Sequence, residues 1–442
     1  MTAINRAVEK YEKLIFEAER RIWSTPETGF REVKSSAYLA DRFRELGYSL
    51  TMAGDIPGFY TVVDTGKEGP EVLVIGELDS VICSNHPESN SETGAVHSCG
   101  HNAQCAALLG VAAALREPEV LEGLVGRIRL CAVPAEELLE IEYRSELKRK
   151  GIIKYFGGKG EFLRRGYFDG VDMAFMIHTG STSSVNRGMN GCITKRVIYK
   201  GRATHAAAPA KCINALYAAN CGLSAVNALR ETFRESDCIR VHPIITSGGS
   251  MVNAIPDTVT IESYVRGRSF EAILRENAKV NRALVGAAYS LGANVEIIDA
   301  PGYTPLLNDT NMMLLAKRAF ETALPELEFK YAPDSTSSGC TDMGELCSIM
   351  PVVHPHCAGA VGTGHGADYY IADPVAACVN SAKWQLMMLR LLLSDGAAEA
   401  WRIKAEFEPA FASKEEYFKY IDAICSSGDR ITYNDDGTAT VR

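Results

Sequence analysis

Apolar residues recur at helical spacing at the start of the chain and then give way to short, nearly continuous apolar runs. Helical patterns cover 4–23 and 34–46, and the second pattern stops at Gly47, a residue that commonly follows a helix end. Short apolar strands separated by helical patterns are typical of a parallel sheet that is covered on both faces. Three such strands are predicted, at 71–79, 126–137 and 170–178.

The pattern changes between 191 and 300. An alternating strand is followed by a helix, two strands, a second helix and a last strand. This β-α-β-β-α-β order is that of the ferredoxin-like motif and predicts a separate domain. We therefore expect an α/β protein with a mixed, mainly parallel sheet flanked by helices. Its first domain would comprise 1–190 and 301–442, and the inserted ferredoxin-like domain would comprise 191–300.

The last part of the chain returns to the helical pattern. A glycine-rich stretch occupies 334–370, and the tail beyond Asp395 is predicted to be helical with a polar end. The pattern of this tail indicates no function.

Composition and charge narrow the class of protein. A chain of 442 residues is long enough for two to three domains, and 46% hydrophobic with 23% charged residues is ordinary for a globular enzyme. The net charge of −9 argues against nucleic acid as the main partner, since binding phosphates needs a clustered basic surface. Composition and charge leave small-molecule substrates of either charge possible.

Targeting signals and cysteine usage point to a cytoplasmic protein. The N-terminal stretch is charged at helical spacing and lacks the apolar segment of a signal peptide. The apolar run at 384–393 is interrupted by Arg390 and is too short to cross a membrane, so no membrane partner is expected. Thirteen cysteines without a framework spacing favour reduced thiols over disulfides.

Residues that bind metals or move protons follow each of the three predicted parallel strands. They are Asp79, the adjacent pair Glu136 and Glu137, and His178. Because ligand sites of open α/β sheets lie at the carboxyl ends of the strands, these segments point to one crevice.

Cys99 and His101 lie on either side of a glycine, between a polar loop and a predicted helix at 103–115. Alone, this spacing fits metal ligands, a thiolate nucleophile with its base, or a structural loop. Together with the residues at the strand ends it favours a divalent-metal site in which one glutamate is a ligand and the other a base. Sulfur, nitrogen and oxygen donors together suit Zn²⁺ and leave Mn²⁺ and Co²⁺ open.

Further candidates lie outside these strands. His365 stands in a glycine-rich loop that can approach a site closely, and His354 and His356 compete with it as ligands. Three residues of the inserted domain are candidates for contacts to an oxyanion or to a substrate carboxylate. The alternative interpretation is that they form local hydrogen bonds or a structural salt bridge. They are His205, Asn253 and Arg266.

Eight ordered motifs resemble the metallopeptidase family of aminoacylases, auxin-conjugate hydrolases and aminobenzoyl-glutamate hydrolases. They are STPETGFRE, GELDS, CGHN, PAEE, MIH, GRATHAAAP, NAIPD and GTGHGADY, and they span nearly the whole chain. The resemblance implies a dinuclear metal site and an inserted domain that forms a homodimer. It also implies Glu136 as general base, and it carries over as metal ligands Cys99, His101, Glu137, His178 and His365.

The same resemblance assigns two residues of the inserted domain to the substrate carbonyl. They are Asn253 and His205, the latter supplied by the partner subunit. The chain departs from the family pattern at Asn102 and Gln104, and an insertion at 138–160 replaces a short glycine-rich link. These departures lie beside the predicted site.

The predicted function is metal-activated hydrolysis of an amide bond. The substrate would be an N-acyl amino acid, an amino-acid conjugate or a dipeptide-like molecule. Asp79 is also counted among the catalytic residues. An aminobenzoyl-glutamate hydrolase-like activity fits the motif around Asn102. The alternatives are a dipeptidase or carboxypeptidase, a ureide amidohydrolase, a non-catalytic metal-binding paralogue, and a cysteine hydrolase with Cys99 as nucleophile and His101 as base.

Overall fold

A computed structural model describes residues 3–442, and within them helices and short strands alternate along the chain. The α-helices are α1 (Ala3–Lys10), α2 (Glu12–Trp23), α3 (Val33–Glu45), α4 (His101–Ala114), α5 (Pro118–Leu121), α6 (Ile141–Arg149), α7 (Gly158–Arg164), α8 (Ala215–Ala228), α9 (Phe270–Ser290), α10 (Thr310–Ala323), α11 (Met343–Cys347), α12 (Ser381–Leu393), α13 (Ala398–Glu406) and α14 (Lys414–Asp422).

The strands are mostly short outside the two main sheets. They are β1 (Thr51–Met52), β2 (Phe59–Asp64), β3 (Glu71–Glu77), β4 (Val81–Ile82), β5 (Ala95–Val96), β6 (Arg127–Val133), β7 (Met173–Phe175), β8 (His178–Thr179), β9 (Ser184–Met189), β10 (Gly191–Lys200), β11 (Thr204–His205), β12 (Arg240–Val241), β13 (Ile244–Ser247), β14 (Ala254–Ile255), β15 (Thr258–Gly267), β16 (Asn294–Pro301), β17 (Leu306–Leu307), β18 (Lys330–Ser337), β19 (Val352–Val353), β20 (His356–Cys357), β21 (Ala360–Val361), β22 (Tyr370–Ile371), β23 (Ser426–Asp429), β24 (Ile431–Tyr433) and β25 (Ala439–Val441).

The chain forms two compact units. Unit 1 comprises Met1–Gly188, Leu306–Ser337 and Asp342–Lys414. Unit 2 comprises Met189–Pro305, Ser338–Thr341 and Glu415–Arg442. The sequence placed everything after 301 in the first domain, and this is wrong for the tail.

The tail belongs to unit 2 because it completes the sheet of that unit. β23 pairs with β16, and Ile431 is buried in the apolar core of unit 2. The prediction of a helical tail holds only as far as Asp422, since β23, β24 and β25 follow. These strands are short and largely polar, so the alternation of apolar and polar residues that predicts a strand is weak in this part of the sequence.

Unit 1 is built on a six-stranded mixed sheet with the order β1-β2-β6-β3-β7-β19. β6, β3, β7 and β19 run parallel, and β1 and β2 are antiparallel to their neighbours. Every residue of β3 and of α4 is buried. This burial explains the continuous apolar runs in the sequence, because parallel strands covered by helices have no solvent face.

Unit 2 contains an antiparallel sheet with the order β12-β15-β10-β16-β23, and β13 pairs with β15. Residues of β16 alternate between buried and half-buried positions, as expected for a sheet covered on one face. The two helices start at side-chain caps, Asn214 for α8 and Ser269 for α9. One strand predicted from the sequence is split into β12 and β13 at Pro243, which cannot donate to a strand ladder.

The helices and the cysteines were compared with the requirements for membrane spans and disulfides. Among residues 3–442, none of the helices has both the length and the apolar composition needed to cross a membrane. All thirteen cysteines carry free thiols.

Candidate metal centre

The predicted site residues of unit 1 meet at the carboxyl ends of the parallel strands. Asp79 follows β3, the paired glutamates follow β6, and His178 begins β8 directly after β7. Since β6, β3 and β7 are parallel neighbours, their ends open to the same edge of the sheet. The prediction that three separate segments converge on one crevice therefore matches the observed topology.

Cys99 and His101 are brought to this edge by a tight turn into α4. Gly100 between them has φ +85°, in the left-handed region that favours glycine. Cys99 Sγ lies 3.5 Å from His178 Nε2. His101 Nδ1 lies 2.9 Å from the carbonyl oxygen of Asp79, which fixes the ring and directs Nε2 into the cluster.

His365 reaches the cluster from a loop whose backbone is constrained. It has φ +63°, which is uncommon for a residue with a side chain, and its N–H donates to Ser98 O at 2.8 Å. His365 Nε2 lies 2.9 Å from Glu137 Oε1. His354 and His356 lie beside His178, with ring centroids 5.7 and 5.3 Å from its ring. Among the described residues, the compact donor groups include His365 and neither of these two, so the geometry favours His365.

Potential ligand atoms come together in three overlapping groups. Within the described part of the chain, the groups whose ligand atoms all lie within 4.8 Å of one another are Cys99–His101–His178, Cys99–Glu137–His365 and Glu77–His101–Glu136. The first two share Cys99, an arrangement that offers donors for two neighbouring ions. A cavity of about 380 Å³ in unit 1 opens over the thiol and is lined also by His178, His365 and Tyr369.

The spacing of these atoms fits a metal ion. Two ligands held 2.0–2.3 Å from one zinc ion at angles between 90° and tetrahedral lie roughly 2.9–3.6 Å apart. The thiol–imidazole distance of 3.5 Å and the carboxylate–imidazole distance of 2.9 Å both fall in this range. The donor set of thiol, imidazole and carboxylate is also the set that zinc prefers.

The two adjacent glutamates have opposite electrostatic environments. Burial, together with the carboxylates of Glu77 and Glu137, raises the pKa of Glu136 well above its usual range. Burial also opposes ionisation of Glu137, but the hydrogen bond and charge of His365 outweigh it and lower the pKa of Glu137 to about 2. One carboxyl therefore favours binding a proton and the other favours the anion.

The backbone turn that carries this pair is held by three buried side chains. Ala135 has φ +59°, and its N–H donates to Glu32 Oε1 at 2.7 Å. The N–H of Glu137 donates to Asp79 Oδ2 at 2.7 Å. The Arg144 guanidinium donates to the carbonyl oxygens of Ala135 and Glu137. Asp79 therefore orients the backbone of Glu137 and the ring of His101.

Asn102, the departure from the family pattern, points away from the cluster. Its Nδ2 donates to Glu19 Oε1 on α2 at 2.7 Å, and both residues are buried. An aspartate at this position would set two buried carboxylates against each other. Gln104, the second departure, is also buried, and neither of its amide atoms has a hydrogen-bond partner among residues 3–442.

The Glu19 carboxyl gives a pH-dependent prediction. Burial raises its pKa from 4.5 to about 7, so the folded protein binds this proton more tightly than the unfolded chain does. Stability from this group is present below about pH 4.5 and lost as the pH rises through 7. We expect Glu19→Gln to stabilise the metal-free protein by about 2 kcal/mol at pH 8 and by much less at pH 5, measured by urea unfolding.

The control is Glu17→Gln, which changes an exposed carboxyl on the same helix. It should leave stability nearly unchanged at both pH values. An equal effect of Glu19→Gln at pH 5 and pH 8 would contradict the assigned direction of the pKa shift.

The remaining predicted residues lie in unit 2. His205 is exposed on β11, and its Nδ1 accepts a hydrogen bond from the N–H of Ala207 at 3.0 Å. Asn253 is also exposed and adjoins this strand, because its carbonyl oxygen accepts from the N–H of Ala206. Arg266 lies apart from them on β15, with its guanidinium 5.1 Å from the ring centroid of Tyr264.

Sequence reasoning missed several buried charged residues around the cluster. Glu77 and Lys159 are both fully buried, and Lys159 Nζ lies 2.5 Å from Glu77 Oε1. A charged residue that ends an otherwise apolar strand, as Glu77 does, requires a partner, and this was a usable signal. Lys159 carried no such signal in the sequence, because its partners Glu77 and Asp342 are far away along the chain.

Comparison with known sequences identifies the family to which the chain is similar. The sequence model of Peptidase family M20/M25/M40 matches residues 73–390. The chain is 26% identical to N-acetyl-L-cysteine deacetylase of Bacillus subtilis (strain 168) over 329 residues, covering 71% of this chain and 73% of the relative. It is 27% identical over 305 residues to one of the proteins that make up the p-aminobenzoyl-glutamate hydrolase of Escherichia coli (strain K12), covering 66% of this chain and 59% of the relative.

A solved structure with the same fold is described as a dinuclear metal binding peptidase of the M20 family from Bacillus subtilis. The two superpose with a TM-score of 0.62 at 20% sequence identity. The match covers 87% of this chain and 99% of the other.

Proposed function

Because the chain belongs to Peptidase family M20/M25/M40, we propose that it hydrolyses the amide bond of an N-acyl amino acid or a dipeptide-like conjugate. The family match confirms the resemblance seen in the eight motifs and identifies the chain as a metal-dependent hydrolase of amide or peptide bonds. The substrate and the role of each residue are our proposal.

The observation that carries the proposal is that the pKa values of two adjacent carboxyls are shifted in opposite directions inside a cluster of possible metal donors. Glu137, whose pKa is lowered, suits an anionic ligand, and Glu136, whose pKa is raised, suits a proton carrier. Paired carboxyls with pKa values pushed apart divide acid–base roles in known enzymes.

The ligands that we propose are the five residues whose side chains meet in unit 1. They are Cys99, His101, Glu137, His178 and His365. A bound divalent metal would lower the pKa of a coordinated water and polarise the scissile carbonyl. Two ions fit the two groups that share the thiol, and zinc is the metal we favour, with manganese and cobalt as alternatives.

The chain itself moves the proton. Glu136 takes a proton from the attacking water and returns it to the leaving amine, which requires a carboxylate within hydrogen-bond reach of both. Asp79 holds the ring of His101 and the backbone of Glu137. We assign His205 and Asn253 to stabilising the oxyanion and Arg266 to a substrate carboxylate.

The substrate class rests on what two relatives are named for. N-acetyl-L-cysteine and p-aminobenzoyl-glutamate differ in their acyl groups but are both N-acyl amino acids. A site that binds the amino-acid part and tolerates different acyl groups accounts for both names. Dipeptidase or carboxypeptidase activity and ureide hydrolysis remain the alternatives to be screened beside it.

For unit 2 we propose a ferredoxin-like domain that forms a homodimer. Its strand order β12-β15-β10-β16, with α8 and α9 between the strands, supports this assignment. Apolar side chains are exposed at Tyr217 on α8 and at Ile244 and Ile245 on the edge strand β13. Exposed edge strands with apolar residues favour pairing with another chain.

The test is a screen of N-acyl amino acids, dipeptides and ureides with the purified protein, before and after treatment with a chelator. We expect hydrolysis of N-acyl amino acids that is lost on chelation and restored by Zn²⁺, Mn²⁺ or Co²⁺. Turnover that survives complete removal of metal and stops on thiol alkylation would instead support a cysteine hydrolase with Cys99 as nucleophile. Bound metal without turnover of any amide would support a non-catalytic paralogue.

A further inference from the structure

We propose that Glu77 is an additional ligand of the ion that His101 binds, and that Lys159 orients its carboxylate for this purpose. The inference rests on the proposed function, because it adds a residue to the same metal centre. Neither the strand-end pattern nor the family motifs assigned Glu77 a role.

The first step is the protonation state of the His101 ring. Nδ1 lies 2.9 Å from the carbonyl oxygen of Asp79, and a carbonyl oxygen only accepts hydrogen bonds. Nδ1 therefore carries the proton in a neutral ring, and the lone pair is on Nε2.

The second step is what this lone pair faces. His101 Nε2 lies 3.2 Å from Glu77 Oε2, and both side chains are fully buried. Within the described residues, neither atom has a hydrogen-bond partner. A proton on Nε2 neutralises this pair in the metal-free chain, whereas with a neutral ring the two buried acceptor atoms require a cation beside them.

The third step is the distance. A nitrogen and an oxygen ligand about 2.1 Å from one ion, at angles between 90° and tetrahedral, lie roughly 3.0–3.4 Å apart. The observed 3.2 Å falls in the middle of this range. Glu136 Oε2 is farther from the ring, at 4.0 Å from Nε2, which suits a group that reaches a water rather than the ion.

Lys159 explains why only one oxygen of Glu77 faces the centre. Its Nζ lies 2.5 Å from Oε1 and also donates to Asp342 Oδ1, so the ammonium is held from the other side. The backbone N–H of Lys159 donates to Asp342 Oδ2 at 2.9 Å. Carboxylates that bind metals are commonly held by such a hydrogen bond on the second oxygen. Lys159 belongs to the insertion at 138–160, which thereby gains a role in the metal centre.

Charge supports the same assignment. The buried carboxylates of Glu77 and Asp342 both face the single buried ammonium of Lys159. A divalent ion at His101 would offset the remaining negative charge.

The experiment measures metal binding rather than turnover. The full-length chain is stripped of metal, titrated with Zn²⁺ against a chromophoric chelator, and its metal content is determined by mass spectrometry. We expect Glu77→Gln, which keeps the shape and removes the charge, to weaken binding of one of two zinc ions by about 10–100-fold or more. Glu71→Gln is the matched control, because Glu71 is a buried, ion-paired carboxylate at the opposite end of β3.

Unchanged affinity for both ions in a folded Glu77→Gln protein would overturn the inference. If that variant does not fold, Glu77→Asp keeps the charge but withdraws the carboxylate, and the inference requires weaker binding of one ion there too. A chain that shows the Glu77-dependent zinc affinity but hydrolyses no amide would disprove the proposed function and leave the ligand assignment intact. A chain that binds no zinc in the unsubstituted form would disprove both.

Discussion

The Glu136→Gln variant is expected to keep its metal, while its kcat/KM falls by about 10²- to 10⁴-fold. Glutamine has nearly the same shape as glutamate and preserves the backbone of the turn, which is held by Glu32, Asp79 and Arg144. It has no basic carboxylate to accept the proton of the attacking water. The substitution should therefore remove proton transfer and leave the centre assembled.

Two measurements are needed on the same protein samples. Metal content by mass spectrometry should equal that of the unsubstituted chain, and steady-state kinetics on the best substrate of the screen should show the loss mainly in kcat. The control is the adjacent substitution Glu137→Gln, which removes the anion facing His365 and should lower metal affinity as well as rate. Rates within threefold of normal for Glu136→Gln would end its assignment as the base.

The elements that the sequence predicted best are those whose burial is complete. β3 and α4 are buried along their whole lengths, so their apolar runs were unambiguous, and the residues after each parallel strand were expected at one edge. Six of the seven predicted site residues of unit 1, all except His365, were grouped by this topology and by the spacing of Cys99 and His101. The motifs then favoured His365 over His354 and His356 as a candidate ligand, a choice that spacing alone left open.

What the sequence did not predict depends on long-range packing. The left-handed turn at Ala135 is enforced by Glu32 and Arg144, which come from segments on both sides of it in the chain. Neither local propensity nor periodicity reports such a contact. The same is true of the tail, where β23 acquires its structure by pairing with β16 of unit 2.

The insertion at 138–160 is the clearest example, because its composition is that of a solvated basic loop. In the folded protein Arg144 and Lys159 are buried beside the candidate metal centre, at 1% and 0% exposure. Gly158 is required beside them, since a Cβ at this position would lie 1.6 Å from the carbonyl oxygen of Pro134. Arg144 and Lys159 therefore support the site from within.

Lys159→Met is accordingly expected to destabilise unit 1 by about 3–5 kcal/mol in the metal-free protein. The substitution leaves the carboxylates of Glu77 and Asp342 buried without the ammonium that lies between them. Removing one partner of a buried ion pair costs far more than removing an exposed pair. A methionine fills most of the volume, so the loss would come from charge rather than from a cavity.

Tryptophan fluorescence isolates this effect, because all three tryptophans, Trp23, Trp384 and Trp401, lie in unit 1. Urea unfolding followed by this signal should show the loss for Lys159→Met. Lys150→Met, which breaks an exposed pair with Glu146 in the same insertion, should change the free energy of unfolding by less than about 1 kcal/mol.

A second substitution tests the cause of the loss. If the destabilisation comes from uncompensated carboxylates, adding Asp342→Asn to Lys159→Met removes one of the two negative charges and should recover part of the lost stability. A double variant no more stable than Lys159→Met would mean that the lysine acts through packing. A loss of less than about 1 kcal/mol in Lys159→Met itself would mean that the insertion does not stabilise the centre through this charge.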